Sequence, residues 1–345
     1  MRGGGEAGES LAYRDARVSP CAACEAAPCC QYLPLTTFAM ATLSDVDYAR
    51  YLLNFDNIEL GVTREGAWSV YYRQACRFLD ADTLGCRLHG TPDKPHVCVQ
   101  YNPFSCFYRT AFSPGGAEGY LRVDRRRLDV IVEALTFDAD RRVVAAPTVE
   151  SLAEAFEALP IESAVVPPRP AEPAPVQPGD LADPCVSCPA YCCTTVLFPI
   201  TPPVSISSLD YLRFALGFPG TEIVVLGTEW QLAVSARCRH LEDGRCAVFG
   251  TPDRPLRCEY HDAWTCGPRA AFDGAGIESS VRIRLEDFPA LAGACAFHLD
   301  GTAAMVPGAT ELRPVLAAGT LDGDAAPGHR QLLPLSVVSP ASQEP

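Results

Sequence analysis

The chain has 345 residues, 48% of them hydrophobic, with 28 Lys and Arg against 42 Asp and Glu for a formal net charge of −14. That length allows about two domains of roughly 150 residues each, neither of which needs disulfides merely to fold. The acidic balance excludes phosphate-backbone binding, which draws its affinity from clustered Lys and Arg.

Residues 1–17 begin with Met1-Arg2-Gly3-Gly4-Gly5-Glu6. They lack the apolar core of a secretory signal and are expected to be disordered. The longest apolar stretch, around Phe288 to Phe297, is about half of a membrane span. The expectation is therefore a cytoplasmic protein with neither membrane nor nucleic acid among its partners. Thiols stay reduced in that compartment, so a dense cysteine pattern there signals metal binding or catalysis before it signals disulfides.

Sixteen of the seventeen cysteines form two copies of one pattern. The first copy, spanning 18–159, runs Cys21, Cys24, Cys29, Cys30, Cys76, Cys86, Cys98, Cys106. Its expected elements, in order, are a short helix through Asp47–Tyr51 capped by Ser44 and a strand over Ala67–Tyr71. A second strand at Leu121–Val123, a helix over Asp124–Leu135 and a closing helix near Glu150–Leu159 follow. Residues 160–184 hold eight prolines and are expected to form an extended spacer. The second copy, 185–318, runs Cys185, Cys188, Cys192, Cys193, Cys238, Cys246, Cys258, Cys266. It repeats the elements: a helix through Asp210–Phe214 capped by Ser207, strands at Glu229–Val234 and Val281–Ile283, and helices over Leu285–Cys295 and Thr310–Ala318. Residues 319–345 form a Pro-, Gly- and Ser-rich tail expected to be mobile.

Adding 160 to a position between Cys86 and Pro147 lands on its counterpart, and the offset drifts only to 164 at Cys21/Cys185. A period this long exceeds that of solenoid repeats. It predicts a tandem duplication into two α+β units, each with its own core, short helices, β-hairpins and long cysteine-bearing loops stapled by metal.

Two cysteines separated by two residues sit on a turn that can present both sulfurs to one tetrahedral ion. Adjacent cysteines are expected to diverge, so Cys29 and Cys30, like Cys192 and Cys193, suggest two neighbouring sites per copy. Four thiolates suit either zinc or an iron-sulfur cluster, and spacing leaves that choice open. The thiolate environment excludes magnesium and calcium. No histidine is shared between the copies, which favours an all-cysteine set. Cys295 faces Leu135 in the internal alignment and is assigned to the core, as are Trp68 and Trp230. The repeated turn Gly90-Thr91-Pro92-Asp93-Lys94-Pro95 and Gly250-Thr251-Pro252-Asp253-Arg254-Pro255 carries a cation that either offsets thiolate charge or is simply exposed.

Copy two, with Cys185-x2-Cys188-x3-Cys192-Cys193, Cys238-Arg239-His240-Leu241 and Arg254-Pro255-Leu256-Arg257-Cys258, resembles the YkgJ-type cysteine-cluster family, described as zinc- or iron-chelating domains. Copy one resembles it with one extra residue before Cys29 and Lys94 in the place of Arg. Because that family includes flagellin lysine N-methylases, the resemblance implies metal binding and opens a redox or methyl-transfer role. No glycine-rich nucleotide loop or Ser/His/Asp arrangement accompanies it. The functional expectation is a metal-binding protein holding zinc or iron-sulfur in two eight-cysteine clusters. Its alternatives are an iron-sulfur redox or methyl-transfer enzyme and a zinc-stabilised scaffold for protein partners.

Overall fold

The β-branched and aromatic stretches of each half pair into a four-stranded antiparallel sheet. The computed structural model describes residues 12–24, 26–112, 119–161, 164–168, 188–272, 280–319 and 336–337. The class is α+β, as the sequence predicts.

The first half starts with one helical turn, α1 (Tyr13–Ala16), within the stretch expected to be disordered. It continues through β1 (Tyr32–Ala39), α2 (Leu43–Leu52), β2 (Ile58–Thr63) and β3 (Ala67–Arg73). Two short helices follow, α3 (His96–Gln100) and α4 (Phe107–Ala111), and then β4 (Tyr120–Val123) and α5 (Arg125–Ala134). A small hairpin, β5 (Thr136–Phe137) with β6 (Val143–Ala145), precedes α6 (Val149–Glu157). The sheet order is β1-β3-β2-β4.

The second half runs β7 (Thr195–Ile200), α7 (Ile206–Leu216), β8 (Thr221–Leu226), β9 (Glu229–Ser235), β10 (Leu241–Glu242) and β11 (Arg245–Cys246). Then come α8 (Leu256–Glu259), α9 (Gly267–Phe272), β12 (Ser280–Ile283), α10 (Phe288–Ala294), β13 (Ala296–Phe297), β14 (Ala303–Met305) and α11 (Ala309–Gly319). Its sheet, β7-β9-β8-β12, repeats the order of the first. In the tail, β15 (Ser336–Val337) pairs in parallel with β13. The remainder of the tail and most of the Pro-rich spacer lie outside the described residues.

Two helix starts differ from expectation. Thr42, not Ser44, caps α2 in a box with Asp45, and Ser205, not Ser207, caps α7 in a box with Ser208. Threonine and serine both suit a cap, and the reciprocal partner three residues on decides between the candidates. Strands β1, β2, β7 and β8 have no counterpart in the sequence reading. In β1 and β7 the alternation is interrupted by Pro34 and Pro199, residues that central strands exclude. Both strands lie at a sheet edge, where a missing donor leaves no ladder bond unmade.

Successive residues of β3 face opposite sides. Trp68, Val70 and Tyr72 enter the main apolar cluster, while Tyr71 packs with Ala111, Phe112 and Tyr120 on the other face. The second half divides in the same way, with Trp230, Leu232 and Val234 inward and Ala233 against Val224, Ala271 and Phe272. Trp68 and Trp230 are core residues, as expected, and so is Cys295, which is 1% exposed.

The cores of the two halves are not separate. Leu33, Leu52, Leu60 and Leu128 belong to one continuous cluster with Phe198, Leu216, Phe218 and Phe288. Each such side chain stabilises the fold by about 1.5–3 kcal/mol through removal from water. Backbone bonds seal the junction: Arg77 N–H donates to Gly217 O at 2.9 Å, and Arg239 N–H donates to Asn54 O at 2.8 Å. Helices α2 and α7 join the two cores, since α2 packs on α8 and α7 on α3, the helices that carry the opposite half's Cys258 and Cys98.

Candidate metal centres

The cysteines reach each other because strand ends and turns carry them there. Ala27 and Ala190 adopt left-handed backbone, with φ of 41° and 60°, and start the 3₁₀ turns Pro28–Cys30 and Tyr191–Cys193. Where β1 leaves the first turn, Cys76 N–H donates to Cys30 O at 2.7 Å; Cys238 N–H donates to Cys193 O at the same distance in the second half. The vicinal pair is thereby laid beside the cysteine that follows the central strand. A bridge between Leu79 and Cys86 returns the third cysteine, and the β10–β11 hairpin returns Cys246. The repeated turn then reverses the chain at Gly90 and Gly250, whose φ values of 77° and 74° explain the glycines. It delivers Cys98 on α3 and Cys258 on α8.

In the first half Cys30, Cys76, Cys86 and Cys98 line one cavity of about 200 Å³. Cys29 borders the group, because its charge acts on both Cys30 and Cys98. Cys106 stands apart, accepting from the Tyr101 hydroxyl at 3.3 Å and from Arg109 N–H at 3.3 Å. The turn that bears Cys21 packs against the turn just before Cys106. Two groups result: an inner one in the cavity and an outer one of Cys21, Cys24 and Cys106, with Cys29 between them. In the second half Cys192, Cys238 and Cys246 each act electrostatically on Cys258, and Cys192 and Cys238 both act on Cys193. Cys266 is buried at the start of α9, Cys188 is half-buried, and Cys185 lies outside the described residues.

Cys29 and Cys30, like Cys192 and Cys193, stand on one 3₁₀ turn, and within each pair the acidity of one thiol is set chiefly by the other. Among the described residues no three or more Cys, His, Asp or Glu side chains already stand as a formed ligand set. The thiols are neighbours whose sulfurs would swing roughly 3 Å on a change of χ1 rotamer.

Crowding controls their acidity. The Cys30 thiol lowers the pKa of Cys29, and Cys193 lowers those of Cys192 and Cys238 by hydrogen bonding; Cys30 and Cys193 move up in return. Burial, with nearby thiolates adding to it, pushes Cys98 and Cys258 up to about 12. A bound cation would displace the protons that the raised thiols, Cys30, Cys98, Cys193 and Cys258, hold.

The surroundings fit a thiolate-bound cation. The cation of the repeated turn is beside the sulfurs in both halves: Lys94 acts on Cys29 and Cys98, and Arg254 on Cys192 and Cys258. The Arg254 guanidinium stacks 4.4 Å from the Phe249 ring, and its Nε is buried without a hydrogen-bond partner. Arg213 Nε, in the wall of the first cavity, is likewise buried and unpartnered. Buried N–H donors left without acceptors are costly, and a thiolate would offer both a charge-assisted acceptor. Soft sulfur donors with no cluster of carboxylates suit zinc or iron-sulfur.

Sequence reasoning missed the residues supplied across the junction. Asp210 Oδ2 accepts from His96 N–H at the start of α3, and Asp47 Oδ2 accepts from Arg257 N–H at 3.4 Å on α8. Each carboxylate thus holds the helix that carries the other half's Cys98 or Cys258. The signal was present in the internal alignment, where Asp47 and Arg50 recur as Asp210 and Arg213. Among the described residues no helix is long and apolar enough to cross a membrane. No family model, curated protein or solved structure matches this chain.

Proposed function

We propose that this chain is a cytoplasmic metal-binding protein. It holds zinc or iron-sulfur in an inner and an outer thiolate group in each half. The inner groups are Cys30, Cys76, Cys86 and Cys98, and Cys193, Cys238, Cys246 and Cys258. The outer groups are Cys21, Cys24, Cys29 and Cys106, and Cys188, Cys192 and Cys266 together with Cys185 of the sequence pattern. On this reading the repeated sheet order reflects a duplication of one YkgJ-type cysteine-cluster unit.

The observation that carries the reading is the convergence of cysteines from four separate chain segments on one cavity, beside a buried guanidinium that has an unpartnered N–H. Structural thiols have no physical need to meet in this way, whereas a tetrahedral cation requires it. When bound, the metal would supply charge neutralisation and cross-links between loops of little regular structure. The protein supplies the geometry: the 3₁₀ turns present the vicinal pairs, the glycine turns bring in the last inner cysteines, and the cross-junction aspartates hold their helices.

The test is elemental analysis of the full chain expressed in zinc- and iron-replete medium and purified without oxygen, together with its visible spectrum. About two zinc equivalents per half are expected, or the two to four irons that each iron-sulfur cluster would hold. Protein without stoichiometric zinc or iron would refute the reading. A brown, reducible protein would select the iron-sulfur redox alternative, and a colourless zinc protein would eliminate it.

A further inference from the structure

The cavity that holds the first inner thiols has one wall from each half. Cys30, Cys76, Cys86 and Cys98 form one side, and Arg213, Phe214, Gly217, Leu285 and Phe288 of the second half form the other. The approach is close, since a Cβ on Gly217 would lie 3.5 Å from Cys76 Sγ. We propose that this centre is completed in trans, with Arg213 of the second half as counter-cation to the thiolates of the first.

Three observations converge on Arg213. Its side chain is 10% exposed, so its charge is nearly removed from water. Its Nη2 is committed to Asp210 Oδ1, while its Nε has no hydrogen-bond partner. Asp210 uses its second oxygen to accept from His96 N–H, two residues before Cys98. One carboxylate therefore aims the guanidinium at the cavity and sets the helix that brings in the fourth sulfur. Four thiolates around a divalent cation carry a residual charge of −2. A buried guanidinium with a free N–H is matched to that charge in sign and in donor geometry.

The reverse arrangement has the same plan with different chemistry. Tyr51, the counterpart of Phe214, lies near Cys258 and Cys192, and its hydroxyl is pushed up chiefly by burial and then by Cys258. Arg125, the counterpart of Leu285, acts on Cys238. The first centre is covered by apolar side chains and one arginine, and the second by a phenol and an arginine from α5. The two centres are inequivalent even though their cysteines repeat.

The inference rests on the metal-binding reading, and its experiment separates the two. Zinc-loaded full-length protein is challenged with a chromogenic chelator, and Cys98→Ser and Cys258→Ser variants identify the release phase of each inner centre. Arg213→Gln should speed release about tenfold in the phase that Cys98→Ser abolishes and leave unchanged the phase that Cys258→Ser abolishes. Arg213→Lys should restore release to within about twofold of the unaltered protein. Acceleration of both phases alike, of the Cys258 phase alone, or of neither would overturn the assignment. If Arg213→Gln does not fold, the lysine variant decides: a tenfold faster first-half release despite the retained charge would refute a counter-cation role. Unaltered protein that takes up no zinc would instead defeat the metal-binding reading itself.

Discussion

Two ion pairs in the first half have the same length and opposite burial, which makes them a direct test of how charge contributes here. Glu59 accepts from Arg122 through both oxygens, at 2.6 and 2.8 Å, and lies 3.6 Å from Arg73. The Glu59 side chain is 4% exposed, with Arg73 at 11% and Arg122 at 20%. Glu150 meets Arg64 at 2.6 Å, but those side chains are 57% and 52% exposed. Glu59→Gln keeps the shape of the site and leaves two guanidinium groups facing a neutral amide. At an effective dielectric near 20, one charge pair at roughly 3.5 Å is worth about 5 kcal/mol before desolvation is subtracted. Breaking a buried pair on one side costs about 3–5 kcal/mol. Arg122 keeps some solvent and stacks on the Tyr32 and Phe112 rings, which places the expected loss near 3 kcal/mol. With an m-value of roughly 3 kcal/mol/M, the urea midpoint should fall by about 1 M. Glu150→Gln should leave the midpoint within replicate scatter, because exposed pairs are screened and entropically costly. Glu59→Gln/Arg122→Met should recover part of the loss by removing one stranded charge. Equal midpoints for Glu59→Gln and Glu150→Gln would show that burial does not decide the contribution and would refute the reasoning.

Three other outcomes follow from local geometry. A Cβ at Gly61 would lie 1.8 Å from the Tyr120 hydroxyl oxygen, so Gly61→Ala should cost about 1–3 kcal/mol in urea unfolding. Tyr120→Phe in the same chain should relieve part of that cost, and no relief would mean that the strain lies elsewhere. Thr42→Ala should lose about 1 kcal/mol with the capping box of α2, while Ser44→Ala should be nearly neutral; the reverse result would place the helix start at Ser44. Removing metal with a chelator under reducing conditions should open residues 76–106 and 238–266 to proteolysis and leave the two sheets protected against hydrogen exchange, because those loops contain little regular structure. Unchanged digestion would show that the thiols do not staple the loops.

The central strands β3 and β9 were legible because Trp68, Val70 and Tyr72, like Trp230, Leu232 and Val234, alternate inward. The edge strands β1 and β7 were hidden by Pro34 and Pro199, whose tolerance depends on position in a sheet that is not yet known from local pattern. The cysteines marked the candidate centres, and their spacing suggested how the two halves correspond. It could not separate inner from outer thiols, because that division depends on which way a 3₁₀ turn faces. Nor could it show that Asp47 and Asp210 each serve the opposite half. A carboxylate on an amphipathic helix reads as solvated until the helix it caps, more than a hundred residues away, is placed against it.

The continuous core has a consequence during synthesis. When residue 159 leaves the ribosome, the first half carries all of its cysteines, but α7 and α10, which close over them, are still untranslated. At about 5–20 residues per second the 135 residues to Ala294 take roughly 7–27 s. During that time the nascent chain presents an open apolar face and uncovered thiols to the cell. The first half is therefore fully packed only when the second arrives, so oxidants, and any metal that these sulfurs take up, would reach them while the chain is still being made.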